Sequence, residues 1–359
     1  MLETKPVLFS EQKIGTKAIG FIEFNRPQVI NSLNLEMVKQ SYERLQKWEA
    51  DSNIAAVFIH SECPKGLCAG GDVKQVALSK LSQPEYAAEF FKYEYLLDEY
   101  LHRFDKPVFC WGDGIVMGGG MGVFMASHYR IATENSVFAM PEVAIGFFPD
   151  VGASVFLNQI PKKFGWLMGL SGCRIDGPTA FALGIAGQLF SAKTKRKFMT
   201  DLLRFPWSEN AADNHHQWST IFSSRPPEFS PDISELLTAT ELIFSAPTLE
   251  IAKARWQMIQ LPFLTSAFNQ LQAGSAISTQ VIWHQLSLGR SWTRPNAAWK
   301  EWDLAIHFIQ MRSDFQEGVR AMLIDKDKTP KWDKTPLMQS ELEGFFLDRA
   351  DNSVRTFLN

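Results

Sequence analysis

Residues 107–126 read PVFCWGDGIVMGGGMGVFMA, an apolar run followed by two glycine-rich turns and a second apolar run. The first run, 107–111, is short and rich in β-branched, aromatic and other apolar residues, which predicts a buried β-strand. The second turn, 118–120, stands just before residues 123–126, where we expect a helix. A strand, a glycine-rich turn and a helix in this order predict an α/β layered fold.

The same order occurs upstream. Residues 54–60 (IAAVFIH) predict another buried strand, and the turn CAGGD at 68–72 follows it and precedes a helix that starts at Asp72. A further strand is predicted at 18–24, and Asn34 is placed to cap a helix that runs to about residue 50. Because functional residues concentrate where loops leave a rigid scaffold, we expect the site at the strand-to-helix turns.

The second half of the chain has a different pattern. A long helical stretch is already predicted at 84–103, and from about residue 195 mixed stretches with helical periodicity predominate, for example 248–260 and 279–288. We therefore predict a core domain at 1–195 and a mainly helical region at 196–359 that packs on it.

Composition excludes several classes of protein. A hydrophobic content of 45% and a charged content of 21% are typical of a folded globular chain, and the net charge of -3 argues against a nucleic-acid binder. Residues 1–15 show no secretory or organelle leader pattern, and the apolar run 115–126 is too short and too glycine-rich to span a membrane. These features predict a cytoplasmic protein with no membrane or nucleic-acid partner.

Cysteine and histidine patterns do not predict a metal site. Cys63 and Cys68 lack further ligands at suitable spacing, so we interpret the four cysteines as reduced thiols, three of them buried as small apolar residues. His215 and His216 are adjacent and would point apart on any regular element, which favours a solvated loop.

Two glycines could hold a developing negative charge. Gly71 stands directly before the predicted helix start at Asp72, and Gly119 stands in the GGGMG turn. Free N–H groups at a helix amino terminus can stabilise an oxyanion, and glycine lets a ligand approach the backbone closely. Tight turns without a ligand are the alternative interpretation, and the residues alone leave it open.

Two carboxylates lie in an almost wholly apolar stretch. Residues 138–152 read FAMPEVAIGFFPDVG, with Glu142 and Asp150 separated by seven uncharged residues. Apolar surroundings raise the pKa of a carboxyl group toward the range that is useful in acid–base catalysis. A helix-capping or paired surface glutamate is the alternative, which the residues alone do not exclude.

Four motifs resemble those of the crotonase superfamily. They are NRPQVINSLN (25–34), LCAGGD (67–72), GIVMGGGMG (114–122) and FAMPEVAIGFFPDVG (138–152), in the order and at the separations typical of that family. The resemblance implies a spiral of strand–strand–helix turns that binds an acyl-CoA thioester. It also implies that the N–H groups of Gly71 and Gly119 form an oxyanion hole for the thioester carbonyl.

Individual positions within these motifs, and two segments outside them, resemble the 3-hydroxyisobutyryl-CoA hydrolase branch of the superfamily, the thioesterases of valine breakdown. The position that carries a glutamate in enoyl-CoA hydratases is Gly122 here, whereas Glu142 and Asp150 fit the hydrolase pattern. The segments 90–95 (FFKYEY) and 314–332 (DFQEGVRAMLIDKDKTPKW) agree with this branch, which implies that Glu94 lines the substrate pocket. A solvated helix face is the alternative for Glu94.

The resemblance implies a mechanism and its components. Glu142 would attack the thioester or activate a water, and Asp150 would accept a hydrogen bond from the 3-hydroxyl of the substrate. No metal or redox cofactor is implied, because coenzyme A is part of the substrate. Ala153 stands where the branch usually has a glycine, which leaves the acyl group open.

Three alternatives remain open at this level. The first is an enoyl-CoA hydratase or isomerase in which Asp150 supplies the missing acid, and the second is a catalytically silent acyl-CoA-binding protein. The third concerns the oligomeric state. Superfamily members often form trimers, so a homo-oligomer is one expectation. The helical second half could instead cover the surface through which the subunits of such a trimer associate.

Overall fold

The computed structural model describes residues 5–222, 229–311, 313–348 and 355. The prediction about a leader sequence concerns residues 1–15 and so falls partly outside them. The strands in the described residues are β1 Val7–Ile14, β2 Lys17–Phe24, β3 Ile54–Ser61, β4 Gly66–Cys68, β5 Val108–Gly112, β6 Ile115–Met117, β7 Tyr129–Thr133, β8 Val137–Ala139, β9 Ile175–Asp176 and β10 Gln188–Phe190.

The helices alternate with the strands at first and then follow one another. Those up to residue 204 are α1 Leu35–Ala50, α2 Val73–Ser82, α3 Pro84–Arg103, α4 Gly119–Ala126, α5 Ala153–Gln159, α6 Phe164–Ser171, α7 Gly177–Ala182 and α8 Lys195–Arg204. The later ones are α9 Ala211–Ile221, α10 Pro231–Phe244, α11 Leu249–Gln257, α12 Pro262–Ala273, α13 Ala276–Gly289, α14 Arg294–Gln310, α15 Phe315–Val319 and α16 Gln339–Phe345.

Local signals in the sequence explain where several helices begin. The side chain of Asn34 accepts a hydrogen bond from the amide of Met37 over 2.9 Å, and Asp72 caps α2 through the amide of Gln75. A capping oxygen satisfies one of the amides that the first helical turn leaves without a partner. The predicted strands at 18–24, 54–60 and 107–111 are confirmed within one residue at either end.

The strands form two sheets that share one repeating unit. The six-stranded sheet has the order β1-β2-β3-β5-β7-β10, and the four-stranded sheet has the order β4-β6-β8-β9. Each of the successive pairs β3/β4, β5/β6 and β7/β8 therefore gives one strand to each sheet. The first two pairs lead directly into a helix, which confirms the predicted α/β fold built from strand–strand–helix turns.

Contacts divide the chain into two compact units that are interleaved in sequence. The first comprises Met1–Gly71, Leu96–Phe138 and Ile175–Glu228, and the second comprises Asp72–Tyr95, Ala139–Arg174 and Phe229–Asn359. These units are defined by packing, whereas the boundary at residue 195 is predicted from the change to helical periodicity along the sequence. That boundary stays a prediction.

The first unit contains the sheets and an aromatic core. Phe109 on β5 stacks against Tyr129 on β7 at 4.8 Å between ring centroids, and Trp218 on α9 meets Phe109 edge-on at the same distance. The interpretation of residues 215 and 216 as a solvated loop is wrong, because both lie on α9. There the His215 ring stacks on Tyr129, since one face of the helix covers the sheet.

The second unit is largely helical, and its aromatic residues enclose the loop after β8. Phe147 packs against Phe91 at 5.6 Å, Phe308 at 5.3 Å and Phe315 at 5.1 Å between ring centroids. These contacts hold the segment that carries the two predicted carboxylates. None of the described helices combines the length and the apolar character that a bilayer crossing requires.

The cysteines are distributed as predicted. Cys68, Cys110 and Cys173 are buried, Cys63 is half-buried, and all four are free thiols. Burial raises the pKa of the Cys173 thiol to about 12 and the pKa of the Cys110 thiol further, so both stay protonated. These two thiols are therefore packing groups rather than nucleophiles.

Candidate active site

Glu142 begins a short 3-10 helix, Glu142–Ile145, which follows β8 after Pro141. The helix ends at Gly146, whose φ of 67° lies in the left-handed region. A Cβ atom at this position would lie 2.5 Å from the backbone of Asp314, so only glycine fits. The chain therefore turns sharply at Gly146.

The Glu142 carboxylate is buried and has an unused oxygen. The residue is 6% exposed, and its Oε2 atom has no hydrogen-bond partner among the described residues. Burial, and secondly the charge of Asp150, hold the pKa of Glu142 well above its usual range. Since buried polar atoms are normally satisfied, an unpartnered carboxylate oxygen indicates a group kept for a ligand or a reaction. The alternative of a helix-capping or paired surface glutamate is therefore wrong.

Asp150 is also 6% exposed, and its carboxylate has a specific partner. The hydroxyl of Tyr95 donates a hydrogen bond to Oδ2 of Asp150 over 2.7 Å. Burial raises the pKa of Asp150 to about 7, against the opposing effect of the Tyr95 hydrogen bond. Asp150 therefore titrates near neutral pH and has an orientation fixed by Tyr95.

Tyr95 lies on α3 and was not singled out from the sequence. Burial, with the negative charges of Asp150 and Glu94, holds the pKa of Tyr95 well above its usual range, so the phenol remains a donor at all physiological pH values. Glu94 itself is 2% exposed, which shows that the alternative of a solvated helix face is wrong. Contact of Glu94 with the substrate stays a prediction.

Two further buried polar residues hold the turn after Asp150, and sequence reasoning missed both. Glu301 on α14 accepts hydrogen bonds from the amides of Gly152 and Ser154, and Gln285 on α13 donates to the carbonyl of Pro149. The local signal at each position is a polar residue within a predicted helix, which does not reveal its partner.

The two predicted oxyanion-hole glycines lie on turns that approach each other within the first unit. Gly71 forms a bridge to Leu33, and a Cβ atom on the preceding Gly70 would lie 3.8 Å from the amide nitrogen of Gly119. Gly119 is the first residue of α4, where amides have no acceptor within the helix. The Gly119 amide is therefore suited to bind an oxyanion, and the role of the Gly71 amide and the action of both as one oxyanion hole stay predictions.

Glu142, Asp150, Tyr95 and Glu94 lie in the second unit, while Gly71 and Gly119 lie in the first. That the carboxylates and the two amides act on one substrate is an inference from the family resemblance. In the part of the chain that the structure describes, no group of three or more His, Cys, Asp or Glu side chains could hold a metal ion. The predicted absence of a metal or other cofactor stays a prediction.

The class of protein follows from comparison with known families. Residues 19–344 match the enoyl-CoA hydratase/isomerase family, so the chain belongs to that family. The match confirms the crotonase resemblance.

Individual relatives are similar over nearly the whole chain. The 3-hydroxyisobutyryl-CoA hydrolase, mitochondrial, of Gallus gallus is 35% identical over 92% of this chain and 86% of its own length. The protein of the same name in Homo sapiens is 34% identical over 94% of this chain and 88% of its own length. A solved structure of a carnitinyl-CoA dehydratase from Mycobacterium thermoresistibile superimposes with a TM-score of 0.83 at 28% identity, covering 96% of this chain and 97% of that one.

Proposed function

We propose that the chain hydrolyses the thioester of 3-hydroxyisobutyryl-CoA to 3-hydroxyisobutyrate and coenzyme A. The observation that carries the proposal is the buried Glu142 carboxylate with an unpartnered Oε2, whose pKa is raised in part by the charge of Asp150. The relatives named 3-hydroxyisobutyryl-CoA hydrolase support it, because they are similar over most of their length. The hydrogen bond from Tyr95 to Asp150 supports the proposal that the acyl group of the substrate carries a hydroxyl.

The first step requires a polarised carbonyl. We place the thioester oxygen against the amides of Gly71 and Gly119, each stabilising the transition state by about 3 kcal/mol. Negative charge that develops on this oxygen is then held by two N–H dipoles. This step assumes that both amides act on the same substrate as Glu142, as the resemblance implies.

Glu142 then serves by one of two routes. As a nucleophile, its Oε2 forms a bond to the thioester carbon, the carbon–sulfur bond breaks, the coenzyme A thiolate takes a proton, and water opens the resulting anhydride. As a general base, it takes a proton from a water that attacks the same carbon, and passes the proton to the leaving thiolate. Both routes use the oxygen that lacks a partner and regenerate the carboxylate.

Asp150 supplies substrate specificity in this proposal. One oxygen accepts the Tyr95 hydrogen bond, and the carboxylate can accept a second bond from the 3-hydroxyl of the substrate. A buried carboxylate prepared for this hydroxyl is left unsatisfied by a substrate that lacks it, which disfavours plain acyl-CoA esters. Glu94 is proposed to shape the same pocket.

A hydratase or isomerase is the second candidate, favoured by the similarity to a carnitinyl-CoA dehydratase structure. Water addition to a double bond uses two carboxylates, and the position of the second one in hydratases is Gly122, on the buried helix α4. Asp150 would then have to supply the missing acid, but the hydrogen bond donated by Tyr95 stabilises its charged form rather than the protonated form that an acid needs. A silent binding protein would turn over neither substrate.

One pair of assays distinguishes the three candidate functions, which are hydrolase, hydratase or isomerase, and silent binding protein. Release of thiol from 3-hydroxyisobutyryl-CoA is followed with DTNB, beside loss of the conjugated absorbance of crotonyl-CoA. We expect rapid thiol release and essentially no hydration. Hydration without thiol release would establish the hydratase, and inactivity on both substrates would establish the binding protein.

With 3-hydroxyisobutyryl-CoA as substrate, the reaction belongs to valine catabolism. The relatives carry the word mitochondrial in their names, so the cytoplasmic location stays a prediction. A homo-oligomer also stays a prediction, and sedimentation of the purified chain would test it.

A further inference from the structure

The turn that carries Asp150 has an unusual backbone. The next two residues, Val151 and Gly152, have φ angles of 55° and 85°, both in the left-handed region. A β-branched residue such as valine rarely adopts this conformation, because its side chain clashes with its own backbone. Such a geometry persists only where the surroundings impose it. The turn therefore needs external contacts to keep its shape.

Glu301 provides two of these contacts from α14. Its Oε2 accepts a hydrogen bond from the amide of Gly152 over 2.6 Å, and its Oε1 accepts one from the amide of Ser154 over 2.9 Å. Glu301 is fully buried. The two carboxylate oxygens thus bind two amides, those of Gly152 and Ser154, at the start of α5, where a helix leaves its amides without acceptors.

Gln285 provides the opposing contacts from α13. Its Nε2 donates to the carbonyl of Pro149 over 2.6 Å and to the hydroxyl of Ser154 over 2.8 Å. The residue before Asp150 and the residues two and four positions after it are therefore all tied to buried side chains. Because Asp150 lies between these ties, they fix the direction of its side chain.

We infer that Glu301, assisted by Gln285, is a positioning residue that sets the orientation of Asp150 toward Tyr95 and the substrate. The inference rests on the proposed function for its effect on turnover, but its geometric part does not. Both oxygens of Glu301 accept hydrogen bonds from the turn, so the contacts of Glu301 reach Asp150 through the backbone of the turn. Burial raises the pKa of Glu301 to about 8, although the hydrogen bonds from the Ser154 side chain and from the amides of Ser154 and Gly152 oppose this rise.

The test compares Glu301→Gln with a matched control on the same helix. A glutamine keeps the shape but offers one acceptor, and its NH₂ group faces the second amide donor, so one of the two amides loses its partner. His307, also fully buried on α14, bonds through Nδ1 to the carbonyl of Phe345 on α16. His307→Leu therefore removes a buried hydrogen bond that joins α14 to α16 rather than to the Asp150 turn.

Three readouts are measured: the melting temperature, kcat and KM on 3-hydroxyisobutyryl-CoA and isobutyryl-CoA, and a crystal structure of each variant. We expect Glu301→Gln to lower kcat on the hydroxylated substrate by about tenfold to a hundredfold, as a misplaced group does. Activity on isobutyryl-CoA should change little, so the preference for the hydroxyl shrinks. In the crystal, the Tyr95–Asp150 distance should exceed about 3.5 Å. His307→Leu should have a lower melting temperature but should keep the preference for the hydroxylated substrate and the hydrogen bond between Tyr95 and Asp150.

The inference is overturned if Glu301→Gln keeps the Tyr95–Asp150 bond and the substrate preference, with activity that falls only as far as in His307→Leu. Should wild type hydrolyse neither substrate, the proposed function fails, and the crystallographic distance alone decides on Glu301. If Glu301→Gln does not fold, Glu301→Asp takes its place. It retains two acceptors one methylene further from the amides, and the same distance and preference are measured.

Discussion

The phenol of Tyr95 donates a hydrogen bond of 2.7 Å to Oδ2 of Asp150, although 55 positions separate the two residues in the chain. The pair joins helix α3 to the turn that precedes α5, within the second unit. Since the phenol remains a donor and Asp150 titrates near neutral pH, the bond favours the charged carboxylate. This relationship distinguishes the role of Asp150 from that of Glu142.

Removal of the phenolic hydroxyl should therefore weaken substrate selection. We expect Tyr95→Phe to lower kcat/KM on 3-hydroxyisobutyryl-CoA by about tenfold, equivalent to about 1.4 kcal/mol in the barrier. Tyr93→Phe, the same change on the same helix, should have little effect. Equal losses in the two variants would show that the hydrogen bond to Asp150 is irrelevant to turnover.

Glu142→Gln keeps the side-chain shape but removes both the base and the nucleophile. We expect thioesterase activity to fall by at least about a hundredfold, the lower end of general acid–base contributions. The protein should remain folded, and circular dichroism would check this. Near-normal thiol release would remove Glu142 from the mechanism.

Asp150→Ala tests recognition of the substrate hydroxyl. Wild type should prefer 3-hydroxyisobutyryl-CoA over isobutyryl-CoA by orders of magnitude, up to about 10⁴ where a site is built around a hydrogen bond. The variant should lose far more activity on the hydroxylated ester, because only that ester uses the carboxylate. If both substrates slow by the same factor, Asp150 acts on water or on Glu142 instead.

The raised pKa of Asp150 predicts how stability depends on pH. In the folded chain the group titrates at about 7 rather than 3.8, so between these values the folded state binds more protons than the unfolded state. The contribution of this group to the free energy of unfolding therefore falls as pH rises from about 4 to about 7. Asp150→Asn cannot ionise, yet its amide oxygen can still accept the Tyr95 bond.

We accordingly expect Asp150→Asn to gain stability relative to wild type as pH rises through this window, by an amount on the order of a few kcal/mol. The two proteins should be close in stability near pH 4. Urea denaturation at several pH values measures the difference. A difference that is constant from about pH 4 to about pH 8 would show that Asp150 has an ordinary pKa in the folded protein.

Some features escaped sequence reasoning although a local signal was present. Strand β1 pairs with β2 in a hairpin in which Ile14 faces Lys17 across a tight turn, but its mostly exposed residues gave a weak apolar pattern. The sequence predicts a solvated loop at His215 because it and the adjacent His216 would point apart on any regular element. In α9, however, adjacent side chains point in different directions, so His215 reaches Tyr129 while His216 belongs to the exposed side.

The sequence by itself determined the strand–turn–helix order, the cap at Asn34 and the choice of Glu142 and Asp150 as candidates. These depend on patterns within a few residues, such as hydrophobic period, glycine turns and capping side chains. Only the tertiary structure decided which groups hold Asp150. Glu301 reaches the amide of Gly152 across 149 positions in the chain. Such a partner depends on helix packing, because the pattern of α14 alone shows a glutamate in a helix and not which backbone it meets.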